Sequence, residues 1–182
     1  DRKDWAAVAR LGGQETVNAL FLGGISLVND PAASTYEALQ RREAGRRVIM
    51  LDPNIRPGFI AGQEDAYRAR VERMIALSDI VKLSDEDLHW LEGAGEVSAL
   101  ARRILARGPS VVFITEGASG ARAVTARGER FVPAQKVTVV DTVGAGDTFN
   151  AGVLCALHEA GALRRDALAD LPEPERRAPL RW

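Results

Sequence analysis

The chain has 182 residues, of which 46% are hydrophobic, and its 24 basic residues nearly balance its 25 acidic ones. This length can bury a substantial core as one domain, while the near-zero net charge argues against a nucleic-acid or acidic-membrane partner and favours a small neutral or anionic ligand. No apolar run approaches the ~20 residues of a membrane span, and the beginning of the chain lacks a signal-peptide pattern. The single cysteine, Cys155, excludes an intramolecular disulfide and is interpreted as a small buried hydrophobic residue. We therefore expect a soluble, cytoplasmic protein.

Apolar periodicity and Gly/Pro punctuation predict alternating strands and helices along the chain. The predicted strands are 17–22, 47–52, 79–83, 110–115, the hairpin 120–125 with 129–132, and a β-branched stretch at 137–140. The predicted helices are 31–44, 64–77, 96–107 and 148–160, with a further helix cap at 84–87. This alternation implies an α/β fold with a mostly parallel central sheet and helices on both faces. Such sheets bind ligands at the carboxyl ends of their strands, where the polar motifs of this chain fall.

The most informative segment joins the stretch at 137–140 to the last predicted helix. Gly144, Ala145 and Gly146 stand at the opening of that helix. The first N–H groups of a helix have no internal partner and carry partial positive charge, so this end binds an anion. Small residues let a phosphate approach the backbone. The segment therefore indicates a phosphate site, although a glycine-rich helix start without chemistry is the alternative.

Asp147 is unexpected beside a phosphate site, because a carboxylate there repels the ligand unless it has a function. Accepting a proton from an attacking hydroxyl is the obvious function. A P-loop would need Lys-Ser or Lys-Thr after the glycines, and a dinucleotide fingerprint would need a glycine where Phe149 stands. Both of those motifs are thereby excluded.

The run Asp-Thr-Val-Gly-Ala-Gly-Asp at 141–147 resembles the signature of the PfkB-type, ribokinase-like sugar kinases. The resemblance implies a three-layer α/β/α fold of that family. It also implies an anion hole for the transferring phosphoryl group, formed by the amides of Gly144, Ala145 and Gly146, with Asp147 as the catalytic base. Asp141 and the carbonyl of Val143 become candidate ligands of a monovalent cation such as K⁺.

The segment Asp-Pro-Asn-Ile-Arg at 52–56 follows a predicted buried strand and resembles the Asp-Pro-Asn-x-Arg segment of PfkB kinases, particularly fructokinase-like members. The resemblance places Asn54 and Arg56 near the substrate and phosphate, where Arg56 can pair with a phosphate or order an acidic neighbour. A purely structural turn with a surface arginine is the alternative.

The segment 82–87 occupies the place where the family often carries Asn-x-x-Glu, which is associated with metal and phosphate. Fructokinase-like relatives show Lys-x-Ser-x-Glu-Glu, so the resemblance implies that Lys82 and Ser84 lie at the nucleotide phosphates. Asp87 would bind Mg²⁺, acting through water because that cation keeps several of its waters. A plain capping box between Ser84 and Asp87 is the competing explanation, and both can hold at once.

The turn at 115–120 resembles the family's Thr-x-Gly-x-x-Gly turn, which runs along the nucleotide phosphates. Thr115 offers a hydroxyl, and Gly117 and Gly120 offer backbone without side-chain bulk. Alone this signal is weak, since glycine-rich turns join strands in many proteins. Its value comes from its position one hairpin before the expected anion hole.

The resemblance covers about residues 17–171 and implies ATP-dependent phosphorylation of a sugar hydroxyl with Mg²⁺, as in fructokinase or 2-keto-3-deoxygluconate kinase. A nucleoside kinase of the same fold and a non-catalytic nucleotide-binding module are the alternatives. Since family members have about 300 residues, we expect 1–182 to be a partial kinase domain without the lid strands, weakly active or inactive by itself. We expect a sugar and ATP as ligands and no nucleic-acid or membrane partner, and leave open a homodimer of the complete protein.

Overall fold

The strands and helices alternate along the chain until a hairpin interrupts them. The computed structural model of the protein describes residues 17–138 and 141–171. Its strands are β1 (Ala19–Gly23), β2 (Val48–Asp52), β3 (Ile80–Ser84), β4 (Val111–Thr115), β5 (Gly120–Thr125) and β6 (Gly128–Pro133). Its helices are α1 (Ala32–Glu43), α2 (Pro57–Ile60), α3 (Glu64–Ala76), α4 (Asp85–Glu92), α5 (Val97–Leu105), α6 (Ala145–Glu159) and α7 (Arg165–Ala169).

The strands form one sheet in chain order, from β1 at one edge to β6 at the other. The first four strands are parallel, and β5 and β6 continue the sheet in antiparallel pairing. The register sets Gly23 beside Asp52 and Ser84 beside Thr115. The carboxyl ends of the parallel strands therefore lie side by side, and we call this end of the sheet the carboxyl edge, as distinct from the edge strands β1 and β6. The carboxyl edge carries the polar segments found in the sequence.

Two hydrophobic clusters cover the two faces of the sheet. Along β2, Ile49 and Leu51 belong to the larger cluster, which includes residues of α3, α4 and α5. Val48 and Met50 point the other way, into a cluster with Val153 of α6 and Leu168 of α7. Every residue of β2 is buried, as expected for a parallel strand covered on both sides. The predicted three-layer α/β/α architecture with a mostly parallel sheet is thus confirmed.

The boundaries of the predicted elements hold to within two residues as far as the hairpin, and then differ. Helix α6 begins at Ala145, three residues before the predicted start at Thr148, so the small residues lie inside its first turn. The β-branched stretch shows no strand at Val137 and Thr138, which are exposed and irregular. Residues 139–140 lie outside the described part of the chain. Among the described residues, no strand pairs with Val137 and Thr138. Their β-propensity alone therefore does not produce a strand there.

The prediction that Cys155 is buried is wrong. The residue lies on the exposed side of α6, with its Sγ 3.6 Å from Oε1 of Glu159. The charge of Glu159 raises the pKa of the Cys155 thiol. The sheet-facing contacts of α6 come instead from Val153 and Leu157. In the described ranges, none of the helices combines the length and apolar character needed to cross a membrane.

Candidate active site

The first turn of α6 presents backbone amides at the carboxyl edge of the sheet. We call the amides of Gly146 and Asp147 in this turn the mouth of α6. Gly144 precedes the helix with φ 78°, a left-handed conformation that glycine adopts readily. The amide of Ala145 donates to the carbonyl of Thr142 at 3.2 Å, and the amide of Thr148 donates to Gly144 at 2.9 Å. Within the described ranges, the amides of Gly146 and Asp147 have no main-chain acceptor, and no side chain caps the helix. These two amides remain available to an anion.

The side chain of Asp147 is exposed in the same first turn. It is therefore not packed away from the sheet edge, and a hydroxyl could reach it from solvent. An acidic residue also suits the positive end of a helix. Its role as catalytic base stays a prediction.

A buried carboxylate, Asp52 at the end of β2, connects three segments of this edge. Its Oδ2 accepts a hydrogen bond from Asn150 of α6 at 2.7 Å and lies 3.1 Å from the ammonium of Lys82. Its Oδ1 accepts from the amide of Asn54 at 3.2 Å. The side chains of Asp52 and Lys82 are each only 5% exposed. Direct contact of Lys82 with a phosphate stays a prediction, since the contact that the structure shows is with Asp52.

The Lys82 ammonium also lies close to the first turn of α6. A Cβ atom added to Gly146 would stand 3.3 Å from Nζ of Lys82. That separation is tighter than an ordinary side-chain contact, so the absence of a side chain at Gly146 makes room for the lysine.

The turn after β2 holds Asn54 in a left-handed conformation with φ 46°. Asparagine tolerates this region better than most residues. Arg56 is exposed and donates from Nη1 to the carbonyl of Ile55 at 2.9 Å. Together with Pro57 and Phe59 it lines a shallow surface depression. The predicted phosphate contacts of Asn54 and Arg56 stay predictions, and the structure places Arg56 where a ligand could meet it.

Ser84 and Asp87 form the capping box of α4. The Asp87 amide donates to Ser84 Oγ at 3.0 Å, and the Ser84 amide donates to Asp87 Oδ2 at 3.2 Å. Asp87 Oδ1 in addition accepts from the amide of Ile55 at 2.9 Å, which ties α4 to the turn after β2. Asp87 is 3% exposed. Burial raises the pKa of its carboxyl and the charge of Asp52 adds to the rise, while the hydrogen bonds from Ser84 and Ile55 oppose it. The capping-box explanation is confirmed.

Metal binding at this edge has limited support in the side chains. Both oxygens of Asp87 already accept backbone hydrogen bonds. In the described part of the chain, no three His, Cys, Asp or Glu side chains come together as a metal cage. Asp141 Oδ1 accepts from the amide of Val143 at 2.9 Å, so these two candidates for a monovalent cation share one exposed turn. The metal roles of Asp87, Asp141 and Val143 stay predictions.

The turn after β4 brings Thr115 to the same edge, beside Ser84 of β3. Gly117 opens a short 3-10 turn with φ 53°, and Gly120 has φ 139°. A Cβ at Gly120 would stand 2.1 Å from the carbonyl oxygen of Val132, so the hairpin itself requires this glycine. The nucleotide contacts of Thr115, Gly117 and Gly120 stay predictions.

Sequence reasoning did not single out Asn150 or Asp52, although they join α6 to β2. A signal existed for each. Asp52 is a carboxylate at the end of an otherwise apolar strand, and Asn150 occupies the apolar stripe of α6 that continues with Val153 and Leu157. A polar residue in a buried stripe needs a partner, and each of these residues is the partner of the other.

Residues 13–169 match the pfkB family of carbohydrate kinases. A fructokinase from Rhizobium leguminosarum bv. trifolii is 49% identical over 168 residues, which cover 88% of this chain and 51% of that relative. The crystal structure of a fructokinase from Vibrio cholerae O395, with bound fructose, ADP and calcium ion, has a TM-score of 0.73 at 29% identity and covers 85% of this chain and 50% of that one. Aminoimidazole riboside kinase from Salmonella enterica, complexed with aminoimidazole riboside and an ATP analog, has a TM-score of 0.71 at 33% identity, with 85% and 53% covered.

These similarities extend through the fold and through the segments that build the mouth of α6. The chain spans about half the length of the curated relatives it matches. The family match covers all residues from the start of β1 to the end of α7. The chain therefore belongs to the pfkB family of carbohydrate kinases.

Proposed function

We propose that this protein transfers the γ-phosphoryl group of ATP to a hydroxyl group of a sugar, as a fructokinase does. The observation that carries the proposal is the pair of available amides, Gly146 and Asp147, in the same helical turn as an exposed carboxylate. Phosphoryl transfer needs these two elements: fixed positive dipoles for the moving group and a proton acceptor for the attacking alcohol. The relatives named as fructokinases support the sugar as acceptor.

In the proposed reaction, the sugar hydroxyl attacks the γ-phosphorus as the bond from that phosphorus to the ADP oxygen breaks. The Asp147 carboxylate takes the proton of the hydroxyl. The amides of the first turn of α6 and the helix dipole stabilise the charge on the phosphoryl oxygens. In this proposal Arg56, which is exposed in the turn after β2, pairs with a phosphate of the nucleotide. The amide mouth fits an anion of this kind.

A divalent cation, which we propose to be Mg²⁺, would neutralise charge on the nucleotide phosphates. Mg²⁺ usually keeps several waters and binds through one or two carboxylates together with substrate phosphates. The V. cholerae fructokinase structure, with fructose, ADP and calcium ion bound, supports a metal ion among the ligands. We also propose the cytoplasm as the location, since ATP is available there.

The test combines binding and turnover on the whole product of the reading frame that contains this chain. Calorimetry with ATP and Mg²⁺ measures nucleotide binding, and a coupled ADP-release assay with D-fructose and other sugars measures transfer. We expect saturable ATP binding and sugar-dependent ADP release. Binding without release for any acceptor would support the non-catalytic nucleotide-binding module. If the protein neither binds ATP nor releases ADP, both the sugar-kinase proposal and the nucleotide-binding alternative are contradicted.

A nucleoside kinase is the second candidate, and the similarity to aminoimidazole riboside kinase favours it. The same assay distinguishes the two functions when ribosides are included among the acceptors. A higher kcat/KM for a riboside than for any free sugar would replace the sugar-kinase proposal.

A further inference from the structure

One buried polar cluster at the sheet edge has no part in the reaction as described above. It consists of Lys82, Asp52 and Asn150, which we call the Lys82 cluster. Burial of a charged pair carries a desolvation cost that attraction between the charges does not always offset. Apolar residues of similar size would pack at such a place without that cost. The cluster therefore calls for an explanation beyond general stability.

The cluster links the three parts of the chain that build the phosphate end of the site. Asp52 ends β2 and accepts the amide of Asn54 at 3.2 Å, which fixes the turn that carries Arg56. Lys82 lies in β3, two residues before the capping box of α4. Asn150 belongs to α6, four residues after Gly146, or about 6 Å along the helix axis. Each segment thus reaches Asp52 through a directional polar contact.

The Lys82 ammonium lies close to the first turn of α6. A Cβ atom added at Gly146 would stand 3.3 Å from Nζ of Lys82, so the space that a side chain at this position would need is taken by the lysine. The bond of 2.7 Å from Asn150 Nδ2 to Asp52 holds the next turn of α6 against β2. The glycine thus leaves room for the ammonium at the first turn, while the hydrogen bond of Asn150 holds the next turn of α6 to the end of β2.

We propose that Lys82, Asp52 and Asn150 are positioning residues for phosphoryl transfer, which fix the amide mouth of α6 relative to the ends of β2 and β3. The inference rests on the proposed function. The cluster acts through the backbone of α6 and touches no reacting atom. A displacement of the mouth by about 1 Å can lower the rate of an enzymatic reaction by about 10²-fold, so such support has a measurable effect.

The first test separates positioning from stability in the whole product of the reading frame. Lys82→Met leaves Asp52 buried without its cation and is expected to lower both stability and kcat. The double variant Lys82→Met with Asp52→Asn removes both charges, so we expect its stability to recover. Its kcat should nevertheless stay about tenfold or more below wild type, with KM for ATP and sugar changed by less than about threefold.

Lys136→Met is the matched control, because Lys136 is exposed outside the cluster. We expect it to leave kcat unchanged. Recovery of wild-type kcat in the double variant would overturn the positioning role, since the charges would then matter for stability alone. A raised KM for ATP at unchanged kcat would also overturn it, in favour of direct phosphate binding by Lys82.

A second test decides the inference without any enzymatic activity. Gly146→Ala places a methyl group against the lysine, and its effect on the unfolding equilibrium constant is measured by urea denaturation in two backgrounds. We expect the effect of Gly146→Ala on that constant to be at least about fivefold more favourable to folding when Lys82→Ala and Asp52→Asn are present, as for neighbouring residues that interact. Additive effects would overturn the inference. If wild type shows no turnover, the proposed function fails, while this comparison still decides whether the Lys82 cluster supports the mouth.

Discussion

Two carboxyl groups at the same edge of the sheet have opposite surroundings. Asp147 is exposed at the mouth of α6, whereas Asp87 is buried and accepts hydrogen bonds from the amides of Ser84 and Ile55. The environment of a carboxyl group decides which chemistry it can perform. Asp147 is open to an incoming hydroxyl, while Asp87 holds two loops in register.

Replacing Asp147 by Asn should lower kcat by about 10²- to 10⁴-fold, because the amide cannot accept the proton of the sugar hydroxyl. The coupled ADP-release assay measures the change. Asp65→Asn is the matched control, since Asp65 is also an exposed acidic residue in the first turn of a helix, α3. Near-wild-type turnover in Asp147→Asn would refute its role as base.

The raised pKa of Asp87 predicts a pH dependence of stability. Below its unfolded-state pKa of about 3.8 the carboxyl is protonated in both states and contributes no difference. Between that value and the higher pKa of the folded state, the unfolded chain releases the proton more readily than the folded protein, which would have to bury the charge. The contribution of Asp87 to the free energy of unfolding therefore falls as pH rises through this interval and levels off above the folded-state pKa.

The measurement is urea denaturation from about pH 4 to pH 7 of wild type and Asp87→Asn at constant ionic strength. We expect the stability of wild type relative to the variant to decline across this range. Asp85→Asn serves as the control for the loss of another carboxylate from the same helical turn. A relative stability that rises with pH would contradict the prediction.

At the scale of elements, the hairpin of β5 and β6 depends on one glycine of the turn after β4. Gly120 pairs with Pro133, and its φ of 139° lies where other residues are strained. Gly117, three residues earlier, also has a positive φ but open space around its Cβ position. The two glycines therefore differ in packing while sharing an unusual backbone conformation.

Gly120→Ala should destabilise the protein by about 3 kcal/mol or more, because backbone strain adds to a clash with the carbonyl of Val132. Gly117→Ala should cost about 1–2 kcal/mol from its left-handed conformation alone. Urea denaturation of both variants provides the comparison. An equal decrease in the free energy of unfolding of the two variants would contradict a destabilising clash at Gly120.

Much of the element pattern could be predicted from the sequence because each signal is local. The apolar run of β2 and the capping residues Ser84 and Asp87 specify their own structures, and the structure follows them closely. The predicted start of α6 is too late, since the first turn contains Gly146 and glycine is a poor helix former. The first turn therefore lacks a helical signal in the sequence. The hydrogen bond from Asn150 to Asp52 ties the next turn of α6 to β2, and such a long-range contact cannot be predicted from local helix propensity.

At the level of the whole molecule, the motifs of the candidate site could be predicted from the sequence, whereas the contacts between them could not. The sequence motifs lead to Asp147 and to the segments at three strand ends, because each motif is contiguous. The connections between them join residues far apart in the chain, such as Ile55 with Asp87 and Asn150 with Asp52. A single sequence contains no record of such pairings, and only the folded arrangement reveals them.

Both edge strands of the described sheet, β1 and β6, expose a large apolar side chain, Phe21 and Phe131. Among the described residues, β1 pairs on one side only, with β2. Phe21 in this strand is 44% exposed. Val17 and Ile25, which flank the strand in the sequence, are also exposed. An open edge with apolar side chains favours association with other chains.

We expect the 182-residue chain to self-associate in a concentration-dependent manner, as measured by sedimentation velocity. Phe21→Lys should shift the chain toward the monomer, because a charge on an edge strand opposes pairing. Val137→Lys is the control, since Val137 is exposed and apolar but lies outside the sheet. An equal shift in both variants would exclude β1 as the cause.

The chain order of the strands has a consequence for biosynthesis. Since β1 to β6 are laid down side by side in the order of translation, the sheet can grow one strand at a time as the nascent chain emerges. The link from Asn150 to Asp52 spans 98 positions and must wait until the ribosome has released α6. Until then Asp52 lacks the hydrogen bond from Asn150, so a chain stalled before that helix contains all six described strands without the helix amides that we propose as the phosphate site.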